Sequence, residues 1–128
     1  MDLMQLQTQA PAEEGAILEI LHPVTFAPLG VKLVLLGADS ETYRSAQNKL
    51  VNARVQNRGA RARLTAEDIE AQALNLLVAA TKGWEGVEWD GAPLAFSSDN
   101  VRMVYTALPW LRDQAQDFIM DRANFLFK

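Results

Sequence analysis

The sequence predicts an α+β fold that is mainly α-helical, an N-terminal β-hairpin followed by about four helices. Three observations predict it. Two β-rich apolar runs, Ile17–Leu21 and Val31–Leu36, flank a segment holding Pro23, Pro28 and Gly30, the pattern of two short strands joined by a loop. Beyond residue 40 the apolar residues recur at helical spacing. These helical stretches are punctuated by capping residues, glycines and one proline that suits a helix start. A chain of 128 residues with no cysteine makes one domain, whose core forms without covalent staples.

Residues 1–15, MDLMQLQTQAPAEEG, carry Pro11 and Gly15 and no sustained period, so they read as a flexible arm ahead of a single domain over 16–128. They also lack the basic start and apolar centre of a secretory signal. A two-stranded ribbon over 17–36 is marginal alone and must pack on the helices that follow.

The first helix starts at Ser40, a fitting N-cap, with Asp39 and Glu41 suited to the positive helix end. It is expected to run to about Asn57 and stop at Gly59, with a narrow apolar stripe of Tyr43, Ala46, Leu50 and Ala53. The second starts at Thr65, with Asp68 capping back three residues on, and stops at Lys82–Gly83. Ile69, Ala73, Leu76 and Ala80 make one stripe, while Leu74 and Val78 lie away from it. A helix apolar over so wide an arc is central in the fold or faces a partner.

Next comes GWEGVEWDGAPLAF, in which Asp90–Gly91 is a tight-turn pair that would close a small second hairpin. Ser97 or Ser98 caps a helix from Asp99 to about Leu108. Pro109 ends it and opens the last helix, expected to reach about Phe127. There Leu111, Ala115, Phe118, Ile119, Phe125 and Leu126 fall within roughly a third of the wheel. Asp113, Asp117, Asp121 and Asn124 take the opposite face.

Composition excludes several functions. A net charge of −4 opposes a dominant nucleic-acid role. Arg44, Lys49, Arg54, Arg58, Arg61 and Arg63 nonetheless hold half of the twelve basic residues in one stretch. Arg54, Arg58 and Arg61 share a helix face, which suits an acidic protein surface, or else an exposed helix end where cations are favoured. With no interleaved aromatic, the stretch lacks the stacking that single-strand binding uses. No apolar run approaches the ~18–20 residues that span a bilayer.

Catalytic patterns are missing. With a single histidine, His22, and no cysteine, no ordinary zinc site can be assembled. His22 also lacks the neighbours a general base needs. Asp113, Asp117 and Asp121 stand four apart on one face, either a ladder for a metal or a basic partner, or the solvated side of an amphipathic helix, the reading favoured here. Glu85, Glu88 and Asp90 are too close in sequence to face each other across a cleft as a glycosidase pair. The spacing of Gly83, Gly86 and Gly91 fits turns, not a dinucleotide loop. The expectation is a protein with no enzymatic activity, cofactor or metal.

The tryptophans offer contact area instead. Trp84 and Trp110 read as closing the core, whereas Trp89, among charged neighbours, reads as an exposed anchor. The terminal Phe125-Leu126-Phe127 is unusual unless it docks on its own domain or on another chain.

Three motifs occur in order: Gly83-Trp84-Glu85-Gly86, then Asp90-Gly91-Ala92-Pro93-Leu94-Ala95-Phe96-Ser97, then Pro109-Trp110-Leu111. Together with HPVTFAPLGVKLVLLGADSETYR in the first half, they resemble the tail assembly chaperones of long-tailed (siphovirus-type) bacteriophages, over roughly residues 17–119. The first hairpin departs from the family's acidic "DP-x-T-G" loop: His22-Pro23 replaces Asp-Pro, and Phe26 stands near the expected Gly. The resemblance implies a non-enzymatic protein of the host cytoplasm. It would bind the long, helical tape measure protein, prevent its aggregation, recruit tail tube protein, self-associate, and be absent from the mature virion. Candidate contact residues are Leu74, Val78, Trp89, Phe125, Leu126 and Phe127, with Arg54 and Arg58 for acidic partners. Two other readings remain: a structural head–tail connector or tail completion protein, and a small nucleic-acid-binding regulator acting through Arg54–Arg63.

Overall fold

The computed structural model describes residues 1–56 and 66–126, with side chains placed for 1–52 and 66–126. The expected cap at Thr65, the stop at Gly59 and the side chains of Arg54, Arg58, Arg61, Arg63 and Phe127 lie outside the described residues. The protein is α+β and mainly helical. Its elements run α1 (Gln9–Glu14), β1 (Ala16–Leu21), β2 (Pro28–Leu35), α2 (Glu41–Gln56), α3 (Ala66–Ala80), β3 (Thr81–Glu85), β4 (Glu88–Trp89), β5 (Ala92–Pro93), α4 (Ser98–Ala107), α5 (Pro109–Met120) and α6 (Ala123–Leu126).

The hairpin expected from the two apolar runs is present. β1 and β2 pair antiparallel, Ala16 opposite Leu35 and Leu18 opposite Leu33. The pairing slips between Glu19 and Leu21, which face Lys32 and Pro28. Two extra β2 residues are thus accommodated as a bulge around Gly30, whose φ is 75°. The loop is closed by backbone bonds from His22 N–H to Ala27 and from Phe26 N–H to His22. His22 Nδ1 accepts from the N–H groups of Val24 and Thr25, at 3.1 and 3.2 Å. The imidazole therefore serves as the loop's acceptor, the role an aspartate takes in an Asx turn.

A third strand was not expected. β3 continues directly from α3 and pairs antiparallel with β2, giving the sheet order β1-β2-β3. One sheet face carries Ile20, Leu33 and Leu35, all buried against α3, α4 and α5. The other face carries Ile17, Glu19 and Lys32, all exposed. Side chains alternate along a strand, so a sheet covered on one side reads in this way.

The caps fall where the sequence puts them. Ser40 Oγ accepts from Tyr43 N–H at 3.1 Å, and Ser97 Oγ from Asn100 N–H at 3.1 Å. Pro109 starts α5 immediately after Leu108, whose backbone (φ −123°, ψ 80°) breaks from the helix. The last helix is shorter than expected. It ends at Met120, Asp121 turns extended and its Oδ1 accepts from Ala123 N–H at 3.0 Å, so α6 forms as a separate turn.

The stretch read as a flexible arm is partly built into the domain. α1 buries Ala12 beneath Gly37, and Gly37 N–H donates to the Ala12 carbonyl at 3.0 Å. A side chain at Gly37 would meet both Ala12 and the Phe125 ring, so this glycine is what lets α1 and α6 close over the end of β2. Glu13 accepts from the Thr42 hydroxyl at 2.6 Å, which holds its carboxyl below the usual carboxylate range. Only Met1–Gln7 fits an arm: a short 3₁₀ turn over Leu3–Leu6 with no buried residue.

Candidate functional site

The first and third sequence motifs meet at one place. Trp84 from one and Trp110 and Leu111 from the other, with Trp89 just ahead of the second motif, line a half-enclosed apolar cavity of about 170 Å³ between the covered face of the sheet, the β4–β5 ribbon and the α4–α5 corner. Each wall follows from local chemistry.

Trp84 stands on β3 opposite Leu33, so alternation sends it to the covered face. Its Nε1–H donates to the Leu94 carbonyl at 3.1 Å, and its ring meets Phe96 edge-on, centroids 5.4 Å apart. The indole thereby braces the segment after the ribbon. Asn100 Nδ2 donates to Ala95 in the same segment at 2.8 Å.

The ribbon is the hairpin expected at VEWDGAPLAF. Asp90 and Gly91 both have positive φ, 54° and 82°, the two-residue turn that Asp-Gly favours. It places Trp89 at the cavity's rim, 38% exposed. The exposed Leu29, on the β2 bulge, forms the rim across from the ribbon. On the helical side, the break before Pro109 lets Leu108 and Trp110 flank the opening, both half-buried. The floor is Ile20, Leu33, Val101, Val104 and Tyr105.

The cavity's electrostatics are simple. Tyr105 is the floor's only hydroxyl, and it is already used. Thr81 Oγ1 donates to the Leu77 carbonyl at 2.8 Å, so the 2.7 Å contact between Thr81 and Tyr105 has the tyrosine as donor. Burial pushes the Tyr105 phenol up to about 12. Among the described residues, Glu88 at the rim is the one charged lining residue, and no nucleophile–base pair faces the space. Among the described residues, no group of three or more His, Asp or Glu side chains is placed to hold a metal ion. None of the described helices is long and apolar enough to cross a membrane. The arrangement can take up apolar surface.

Of the residues singled out from sequence, Trp89 belongs to this site. Leu74 and Val78 do not make a free face: both are half-buried against the core, because α3 is clamped between α2 and the α4–α5 pair. The exposed large apolar residue of α3 is Ile69. Phe125 is 3% exposed and packs edge-on against Phe118 under Gly37, so it belongs to the core, with Leu126 half-buried beside it. Trp84 and Trp110, read as closing the core, do so incompletely and leave the cavity between them. Leu29 and Leu108 were missed as rim residues. Their signals are the bulge glycine one residue on and the proline that follows, which mark backbone that departs from its element.

Comparison with protein-family models, curated proteins and solved structures gives no match.

Proposed function

We propose that this protein is a tail assembly chaperone of the long-tailed phage type, and that it works by taking apolar side chains of a helical client into the tryptophan-lined cavity. The observation that carries the reading is the cavity itself: half-enclosed, apolar, and lined by Trp84 and Trp110 from two of the motifs that resemble the family, with Trp89 between them in sequence. In this reading the client is the tape measure protein. Tail tube protein is recruited to the complex, the chaperone self-associates, and it leaves before the particle is finished, having acted in the host cytoplasm without catalysis.

The energetics suit a holdase. Burying one large aliphatic or aromatic side chain contributes roughly 1.5–3 kcal/mol before association costs. One filled cavity with a modest rim thus gives reversible binding, which a client that must later be released to the tube requires. Aromatic anchors in a desolvated pocket are also where interface energy concentrates.

The test is co-expression of the tape measure protein with this chain or with its Leu29→Ser/Trp89→Ser double variant. The client is expected in the soluble fraction with the parent chain and in the pellet with the variant or with no partner. A client that stays soluble alone, or that the double variant rescues equally, removes the assignment.

A further inference from the structure

A second surface shares no lining residue with the tryptophan cavity. A shallow groove of about 400 Å³ runs between the outer edge of β1 and α5. Leu18, Leu21 and Phe118 form its apolar floor, all half-buried. Glu19, Asp117 and Asp121 stand along it, exposed, and among the described residues no cation lines it. Like charges gathered beside an apolar floor repel one another in the free protein and are relieved by a cationic occupant.

At one end stands Phe26, whose backbone is left-handed at φ 60° and whose side chain is 68% exposed. That conformation suits glycine and is unfavourable for a bulky residue. The strain is held in place by the His22 acceptor and by the Phe26 N–H bond to the His22 carbonyl. Burial within this chain does not offset it, since most of the ring faces solvent. Strain kept at an exposed aromatic beside a groove points to contact with another molecule.

The way that molecule binds is restricted by Gln114. Its side-chain amide accepts from Leu21 N–H at 3.0 Å and donates to the Leu21 carbonyl at 2.9 Å. It occupies the backbone groups of Leu21 that an added strand would use, so strand addition is blocked at the end of β1 that borders the groove. The occupant must engage through side chains.

We propose that this groove docks a cationic amphipathic helix of another protein, its apolar side on Leu18, Leu21 and Phe118, its Lys or Arg residues against Glu19, Asp117 and Asp121, and Phe26 closing over its end. The site stands apart from the tryptophan cavity and from the chaperone reading.

The probe is a fluorescein-labelled 14-residue helical peptide of Leu and Lys, beside a matched peptide with Glu in place of Lys, followed by anisotropy at low and high salt. The Leu–Lys peptide is expected to saturate, and to bind at least tenfold more weakly to Phe26→Gly and to Glu19→Gln/Asp117→Asn. Glu41→Gln, an exposed carboxylate outside the groove, is expected to leave its affinity within twofold. Phe26→Gly is also expected to melt at the same or a higher temperature, which separates lost docking from lost fold. The proposal is overturned if the Leu–Lys peptide does not bind, if the Leu–Glu peptide binds equally, if Glu41→Gln weakens binding as much as the groove variants, or if folded Phe26→Gly binds unchanged.

Discussion

Gly86 lies against the carbonyl oxygen of Gly30, so closely that a methyl group on Gly86 would overlap it. The turn after β3 therefore rests on the bulge of β2. That contact sets the height at which Val87, Glu88 and Trp89 leave the sheet and roof the cavity. Gly86 also has φ 76°, so two independent reasons exclude a side chain there.

Gly86→Ala is accordingly expected to destabilise by more than about 2 kcal/mol, roughly 1–2 from the left-handed backbone and the rest from displacing Gly30. Gly83 has open space where its Cβ would sit and no left-handed backbone. Gly83→Ala is expected to change stability by less than about 1 kcal/mol. Urea unfolding of the pair measures the contrast, and similar midpoints would contradict the packing account.

The same contact shows what the sequence can and cannot tell. Ser40, Ser97, Asp90-Gly91 and Pro109 act through their own backbone neighbours, so their roles were legible from residue type and spacing. β3 was not legible. TKGWE follows α3 without a break until Gly83 and becomes a strand because the edge of β2 pairs with it. α1 was hidden by Pro11, which a helix tolerates in its first turn, and by a burial of Ala12 that depends on the missing side chain of Gly37. The three cavity tryptophans were visible as residues. Their convergence was not, because it needs β3 to carry Trp84 to the sheet's covered face.

Gln114 is expected to matter more than a half-buried polar residue usually does, since its amide satisfies both backbone groups of Leu21. Gln114→Ala should cost about 1–3 kcal/mol, the range for leaving such groups without partners. It should also speed exchange of the Leu21 amide hydrogen well beyond that of its neighbours. Unchanged protection at Leu21 would show that the bond carries no weight.

Alkaline stability should depend on Tyr105. Its folded-state pKa is raised to about 12 from an ordinary value of 10.0, chiefly by burial, so the folded state holds the proton more tightly than the unfolded chain. Stability is then fully present below pH 10 and declines as pH climbs towards 12. Tyr105→Phe should lose about 1 kcal/mol at neutral pH with the Thr81 bond, yet show a shallower fall over that alkaline window. Parallel pH profiles for the two proteins would contradict the assignment.

Acid stability should depend on Asp39. Two bonds from Arg122, with further ones from Thr8 and Arg44, hold its carboxyl far below the usual range, the Arg122 bond being the largest cause. The lowered pKa gives stability present above about pH 4, the ordinary aspartate range, and lost as pH falls below it. Asp39→Asn should flatten the acid limb of the urea-midpoint profile. Because Arg122 is exposed, added salt should weaken the effect in the parent protein. An acid limb unchanged by Asp39→Asn would place the sensitivity elsewhere.

The tryptophan cavity makes a prediction that needs no client. Its 170 Å³ is close to the ~150 Å³ of an apolar cavity that stays dry and takes up benzene, and its hydroxyl is already bonded to Thr81. Benzene should therefore bind saturably and raise the melting temperature. At ten times its Kd the gain is about 1.4 kcal/mol, by mass action on the folded state alone. Val104 lies on the floor, and Val104→Phe places a ring in the same space. That variant should melt within a few degrees of the parent, since the added volume enters a void and not a filled core. It should lose the response to benzene. If benzene stabilises both proteins equally, the ligand sits somewhere else and the cavity is closed in solution.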